Sequence, residues 1–259
     1  MTILQTAERV SHQDLSDNFV YQRSLLAYVE AAKLVSGKVL EIGTGSGYGI
    51  DIISQNCEKF VTIDKFVNEP LQARKDLPKN IEFKQITIPP LTGIESNSFD
   101  FVITFQVIEH IQDDNAFVSE INRVLKKGGK LIVTTPNKPM SITRNPWHIR
   151  EYSIDELHTI LKKKFTSVEN KGVTGNQKIF DYYNKNKASV QKITRFDIFD
   201  LQHKLPRQIL QIPYDILNRI NRKKLLKNNS GLVSDIKMED YKIKEVDNTC
   251  FDLFYIATK

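Results

Sequence analysis

Cysteine is nearly missing from this chain: Cys57 and Cys250 are the only two in 259 residues. Two thiols make neither a disulfide framework nor a zinc site. The simplest home for such a chain is a reducing cytoplasm. No run approaches the roughly 18 consecutive apolar residues that a membrane span requires. The start, MTILQTAERVSHQDLSDNF, has no basic stretch followed by an apolar one, so no secretory signal is expected. Internal repeats and low-complexity tracts are also missing. What remains is ordinary globular composition, 40% hydrophobic and 26% charged, which excludes a disordered or fibrous chain. The length suits one large domain, or one domain carrying a sizeable insertion.

The formal charge of +6 is unevenly placed. Between Asn176 and Asp240 there are 13 Lys/Arg against 7 Asp/Glu, so that segment holds the whole excess. A concentrated positive charge suggests that this region meets something anionic: phosphate, lipid head group or nucleic acid.

Apolar residues recur at helical spacing from Ser24 to Val35, and Gly37 ends them. Lys38–Ile42 is a short apolar run closed by a glycine cluster, which reads as a buried strand. The cluster opens a helix near Tyr48–Ser54. The strand Lys59–Ile63 ends on Asp64, a helix is expected around Asn68–Lys75, and Ile81–Ile86 is the next strand. Phe99–Thr104 and Leu131–Thr135 are strands flanking a helix over Asp113–Leu125, with Gly128-Gly129 as its stop. Ser153 and Glu156 form a capping box that opens another helix, and Phe165–Val173 is strand-like. This alternation predicts an α/β fold with a parallel sheet and right-handed crossovers. It breaks at about Asn176, where helices and loops follow. Thr249–Ala257 is strand-like again, which makes the basic segment an insertion before a last strand.

Glu41-Ile42-Gly43-Thr44-Gly45-Ser46-Gly47 lies between a strand and a helix, at the carboxyl edge of the expected sheet, where open α/β sheets bind ligands. Alternate glycines let backbone approach a ligand closely. The spacing is GxGxG; Tyr48 stands where a dinucleotide fingerprint needs its third glycine, and no Gly-Lys-Ser/Thr follows as in a Walker loop. Glu41 would repel pyrophosphate and attract an ammonium or sulfonium. Asp64, at the end of the second strand, can accept both ribose hydroxyls. The alternative, a merely tight strand–helix turn, fits poorly with the joint spacing of loop and acid.

The stretches VLEIGTGSGYG, VTID and SFDFVITFQVIEHIQDDNAFVSEINRVLKKGGKLIVTTPN resemble the class I S-adenosylmethionine-dependent methyltransferases. The later stretch RNPWHIREYSIDEL resembles their small-molecule group, which includes quinone-biosynthesis O-methyltransferases and enzymes of glycan or natural-product pathways. The resemblance implies a Rossmann-like sheet of seven strands, parallel but for one antiparallel strand. It implies S-adenosyl-L-methionine as cofactor, with its methionine part over Glu41, Gly43, Thr44, Gly45 and Gly47 and its ribose on Asp64 beside Lys65. An adenine contact falls at Thr87 and Ile88, where the family usually carries Asp or Asn. Gln106 is expected to face the cofactor. The N-terminal helical part often forms a lid in this family, which points to Tyr28, with Tyr21 and Arg23 nearby. The implied organisation is a lid over 1–36, a core over 37–175, a basic helical cap over 176–245 and a final core strand over 246–259.

Methyl transfer from a sulfonium needs alignment, water exclusion and, for an oxygen nucleophile, a base. His110, after the fourth strand, is one candidate base; the alternative is that Glu109 and His110 only pin their loop. His148, after the fifth strand, is the second candidate. Trp147, Arg150 and Tyr152 beside it are candidates for an acceptor pocket, or for a capped loop packed on the next helix. No Asn/Asp-Pro-Pro-Tyr element and no Pro-Cys nucleophile follows the fourth strand, which speaks against nucleobase methylation. No metal is expected.

In the basic segment, Leu205, Ile209, Ile212, Ile216, Leu217, Ile220 and Leu225 lie on or near one helical face, with Arg207, Arg219, Arg222, Lys223, Lys224 and Lys227 over much of the rest. Pro206 and Pro213 are expected to divide it. Such a stretch can lie on an anionic membrane, hold a lipid-linked substrate, or pack as a cap over the site with its charges solvated. The cap is the favoured arrangement, with Phe180, Tyr182, Tyr183, Phe196 and Phe199 as its core. The expected function is O-methylation of a small-molecule or glycan/lipid-linked acceptor. RNA methylation and a non-catalytic membrane-surface role stay as alternatives. Aromatics do not alternate with the basic residues as a nucleic-acid stacking platform would require. The oligomeric state is open.

Overall fold

Val39, Leu40, Glu41 and Ile42 are all buried, the mark of a strand covered on both faces. The computed structural model describes residues 10, 14–66, 71, 73–197 and 200–259. Its strands are β1 (Lys38–Ile42), β2 (Lys59–Asp64), β3 (Ile81–Gln85), β4 (Phe99–Phe105), β5 (Leu125–Pro136), β6 (Ser167–Gly175), β7 (Tyr241–Glu245) and β8 (Asp252–Thr258). They form one sheet in the order β3-β2-β1-β4-β5-β8-β6-β7. The β3-β2-β1-β4-β5 run is parallel. β8 is antiparallel to β5 and to β6, and β7 is antiparallel to β6.

Among the described residues the sheet therefore has eight strands where seven were expected, and two of them run against the rest. The extra strand is β7, which falls inside the segment read as helical cap. Its text, Tyr-Lys-Ile-Lys-Glu, alternates in the strand manner, yet three of its five residues are charged and read as more of the basic insertion. Tyr241 is the buried residue of that strand, and its hydroxyl donates to the Phe19 carbonyl at 2.7 Å. The lysines of this edge strand also discourage pairing with another chain.

The helices are α1 (Asn18–Ala32), α2 (Ile50–Ser54), α3 (Asp114–Val124), α4 (Ile154–Lys162), α5 (Gln177–Thr194), α6 (Leu201–Lys204), α7 (Arg207–Asn228) and α8 (Ser230–Ser234). Alternate residues of each strand feed two cores. Leu40, Val61, Val102 and Leu131 face Phe117 and Leu157 on one side of the sheet. Val39, Phe60, Ile103 and Ile132 face Ala31, Ile53 and Ile179 on the other. Asp113 caps α3 by accepting from Ala116 N–H at 2.9 Å, and the Ser153–Glu156 capping box is formed. The Gly128-Gly129 pair expected to stop α3 lies beyond its end, inside β5. Of the helix expected at Asn68–Lys75, residues 68–70 and 72 lie outside the described residues, as does Phe199.

α7 runs unbroken through Pro213. A proline there removes one i→i−4 bond, and the helix is held on both sides of it by tertiary contacts. Before it, Arg207 donates to the His148 carbonyl at 3.3 Å. Beyond it, Trp147 Nε1 donates to Asp215 at 2.9 Å. Arg219 and Arg222 each reach Asp17 Oδ1 at 2.7 Å, and Asp17 is fully buried in the 3-10 turn Leu15–Asp17 that precedes α1. α7 is thus tied both to that turn and to the segment after β5.

Candidate active site

The chain leaves β1 through three glycines in the left-handed region: Gly43 at φ 95°, Gly45 at φ 54° and Gly47 at φ 77°. The amides of Gly43 and Thr44 both donate to the Ile63 carbonyl, at 2.8 and 3.2 Å, which ties the loop to the end of β2. Thr44 and Thr62 share a hydroxyl–hydroxyl bond of 2.6 Å. Gly47 is required by space, because a Cβ would come within 2.3 Å of Leu71 Cδ2. At Gly45 a Cβ would meet nothing within 4 Å, so bare backbone faces open space there.

Asp64 closes that space from β2. Its Oδ2 accepts from Gly45 N–H at 3.0 Å and its Oδ1 from Phe66 N–H at 2.9 Å. Each carboxylate oxygen keeps further acceptor capacity, which suits a pair of ligand hydroxyls. These residues fit the adenosyl–methionine cofactor: an exposed cradle of backbone with an acceptor-only group beside it. Ile86 N–H donates to the Asp64 carbonyl, so the start of the Thr87–Ile88 segment is tied to the same corner. Thr87 is exposed, and Ile88 packs against the core. Lys65 sets its ammonium 4.8 Å from the Phe66 ring centroid.

Glu41 and Tyr28 take positions other than those expected. Glu41 is 2% exposed, and its oxygens accept from the Tyr28 hydroxyl at 2.7 Å and the Thr62 hydroxyl at 2.5 Å. It braces the loop from behind, with α1 on one side and β2 on the other, instead of reaching into the open space. Burial pushes its carboxyl up to about 7, with Asp64 adding to the rise and the Thr62 and Tyr28 hydrogen bonds opposing it. Tyr28 is itself buried, 4.8 Å from Phe105 and 5.3 Å from Tyr48 between ring centroids. It forms the floor of the loop, not a lid over it. Tyr21 packs edge-on against Tyr48 at 5.3 Å.

Gln106 follows β4 with φ 57°. Its amide N–H bonds the Thr134 carbonyl at 2.9 Å and its side chain reaches Thr134 Oγ1 at 3.3 Å. Asp252, the first residue of β8, ion-pairs with Arg23 at 2.8 Å. Burial raises the Asp252 carboxyl, and Arg23 and Gln106 oppose that rise. Arg23, from α1, is therefore linked to the start of β8.

The two histidines meet. The rings of His110 and His148 lie 5.0 Å apart, edge to face. His110 Nδ1 is 3.1 Å from the Trp147 carbonyl, which assigns the proton to that nitrogen. Asn145 Oδ1 accepts from Trp147 N–H, which turns its amide nitrogen toward His148 Nε2 at 2.9 Å. That nitrogen is then the acceptor, and Nδ1–H donates to Glu151 Oε1 at 2.9 Å. Ser141 Oγ holds the other Glu151 oxygen. Glu109, fully buried between the histidine loops, accepts from Thr135 Oγ1 at 2.9 Å, while its Oε1 has no hydrogen-bond partner among the described residues. Burial raises the Glu109 carboxyl, with both histidines holding it down. Ligand atoms of Glu109, His110 and His148 lie within 4.8 Å of one another, a spacing able to hold a cation, although no metal was expected from the sequence.

Trp147, Arg150 and Tyr152 do not jointly line an acceptor pocket. Trp147 is turned to Asp215 of α7. Arg150 and Tyr152 both bond Asp114 Oδ2 at the start of α3, and Tyr152 is 3% exposed. They pin the loop, the plainer of the two arrangements considered for them, because a buried carboxylate at a helix start needs donors.

The sequence pointed to a pocket under the cap aromatics but not to its place between α1, α5 and α7. A cavity of about 600 Å³ lies between α1, α5, α7 and the segment after β5, with Phe19, Arg23, Tyr182, His148, Tyr214 and Phe251 in its wall. Of its wall, Arg23 and His148 were expected near the site and Tyr182, Tyr183 and Phe196 were expected as a cap core shaping the acceptor pocket, whereas Phe19, Tyr214 and Phe251 were not singled out. Glu151, which orients His148, was also missed; its i+3 spacing from His148 was the available signal.

The parallel β3-β2-β1-β4-β5 run with antiparallel β8 beside it, and the glycine loop braced by a β2 carboxylate, are similar in arrangement to the class I S-adenosylmethionine-dependent methyltransferases. Residues 40–133 match the family described as Methyltransferase domain. A probable S-adenosylmethionine-dependent methyltransferase of Mycolicibacterium smegmatis is 33% identical over 171 residues, 63% of this chain and 65% of that protein. This chain thus spans just under two thirds of that relative's length. The human mitochondrial ubiquinone biosynthesis O-methyltransferase is 30% identical over 112 residues, 40% of this chain and 30% of its own. The YcgJ protein of Bacillus subtilis shares the fold with a TM-score of 0.53 at 17% identity, over 93% of this chain and 98% of that one.

Proposed function

We propose that this protein transfers a methyl group from S-adenosylmethionine to an oxygen of an acceptor that seats an extended apolar part in the cavity beneath α5 and α7. The observation that carries the reading is the open backbone at Gly45, with its N–H bonded to Asp64. When bound, the cofactor supplies an activated methyl group. Asp64 accepts the ribose hydroxyls, the backbone of Gly43, Thr44, Gly45 and Gly47 lies along the methionine part, and Thr87 and Ile88 flank the adenine. His148 is the base: Glu151 holds its Nδ1–H, so Nε2 takes the acceptor proton once Asn145 yields that position.

Cavity volume supports a small-molecule or lipid-linked acceptor, since about 300–1,000 Å³ is the usual range for such sites. O-methylation is favoured by the His148–Glu151 pair and by the likeness to an O-methyltransferase over 112 residues. RNA methylation is the weaker reading, because Arg219 and Arg222 of the basic segment are committed to Asp17. Calorimetry with S-adenosylhomocysteine tests the cofactor assignment: Asp64→Ala should weaken binding at least about tenfold, the loss of one charge-assisted contact. Unchanged affinity rejects the ribose role.

A further inference from the structure

α7 is built inside out. Toward the protein it turns Asn221, which is 5% exposed and bonded to Ser189 and Asn186, together with Arg219 and Arg222 on Asp17. Toward solvent it turns Ile209, Ile212, Ile216, Leu217 and Ile220, which are between 46% and 69% exposed. Ile209, Ile212, Ile216 and Ile220 follow the i, i+3, i+7, i+11 spacing of a single face. The same face continues over the last two turns as exposed Lys223, Lys224 and Lys227. Phe196, just past α5, adds to it at 71% exposure, and Leu201, the first residue of α6, at 44%. Soluble monomers rarely present so continuous an apolar patch without using it.

We infer that the outer face of α7, with Phe196 and Leu201, docks on an anionic lipid bilayer, and that the acceptor is a lipid drawn from that bilayer into the cavity. The second half rests on the acceptor reading above. Charge complementarity selects the occupant. An aliphatic face flanked by lysines matches an acyl layer under anionic head groups. A second copy of this chain is the poorer fit. His203, Lys204 and Arg207 lie at one end of α7 and Lys223, Lys224 and Lys227 at the other, so pairing two such faces in either direction sets basic ends together. Continuity argues for the lipid route. Phe196, Leu201 and Leu217 belong to the exposed patch and also line the cavity, so an apolar chain can pass from one to the other without crossing water. No helix among the described residues is long and apolar enough to cross a membrane, so the contact is with the bilayer surface.

Flotation of the full chain with phosphatidylcholine vesicles, with and without phosphatidylglycerol, tests this. Binding should need phosphatidylglycerol and should fall at least about tenfold in the double variant Ile212→Ser/Ile216→Ser, whose side chains are exposed and do not line the cavity. Neutralising Lys223 or Lys224 to Gln should cost about fivefold each. No binding to anionic vesicles, or binding equal in the isoleucine variant, overturns the inference. So does a dimer that dissociates when Ile212 and Ile216 are replaced, since that assigns the face to a second copy. S-adenosylhomocysteine affinity, measured on the same samples, separates the two readings. Cofactor binding without vesicle binding rejects only the membrane inference. Vesicle binding without cofactor binding rejects the methyl-transfer reading instead.

Discussion

His148 donates its Nδ1 proton to Glu151 Oε1 at 2.9 Å, and the two side chains are only 9% and 17% exposed. A carboxylate in that position fixes the tautomer that leaves Nε2 as the acceptor. Replacing His148 by Ala should slow the methyl-transfer step by about 10²-fold or more, the usual contribution of a general base. Glu151→Gln keeps the shape but no longer demands the Nδ1 proton, so kcat should fall while KM holds. Single-turnover transfer of labelled methyl into a lipid extract reads both. If neither variant slows the step, the acceptor needs no histidine base.

Glu41 gives the fold a pH dependence of known sign. Its carboxyl titrates near 7 in the folded chain and near 4.5 when unfolded, so the folded state holds the proton more tightly. Stability is full below about pH 4.5 and declines as pH rises to about 7, by about 3 kcal/mol from this group. Glu41→Gln removes the titration. Thermal melting across that window should show a shallower decline in the variant than in the parent; parallel curves would place the group in a more hydrated setting.

Asp17 ties α7 to the N-terminal turn through Arg219 and Arg222. Asp17→Ala leaves two partly buried guanidinium groups without their shared acceptor, and stability should drop by about 3 kcal/mol. Asp17→Asn keeps an acceptor and should recover part of the loss. Urea denaturation followed by circular dichroism measures both.

The parallel half of the sheet and the glycine loop were legible because their signals are local. Strand runs, helix periodicity and the Gly43–Gly47 spacing lie within a few residues of one another. What was hidden depends on partners far along the chain. Tyr152 finds Asp114 38 residues back, and Asn137 bonds the Cys250 carbonyl 113 residues on. Glu41 was placed correctly at the loop, but a strand residue's facing cannot be read where both faces are buried. The α7 periodicity was legible too, while its direction was not: a 3.6-residue repeat marks an apolar stripe and says nothing of whether it points inward. Asp17, Asn186 and Ser189 decide that, and none of them belongs to the helix.

Gly45 and Gly47 separate the needs of the fold from those of the ligand. Both have positive φ, so alanine at either costs about 1–2 kcal/mol of backbone strain. At Gly47 the new methyl also strikes Leu71, with Cδ2 at 2.3 Å, and the variant should melt well below Gly45→Ala. At Gly45 the methyl enters open space, so the fold tolerates it. That space is where the cofactor's methionine part lies in the proposed function. Gly45→Ala should therefore keep most of its thermal stability and lose at least about tenfold in S-adenosylhomocysteine affinity, as over-packing of about 1–3 kcal/mol against a bound ligand implies. Differential scanning calorimetry and titration calorimetry on the two variants give the four numbers. If Gly45→Ala binds like the parent, the ligand approaches the loop from elsewhere.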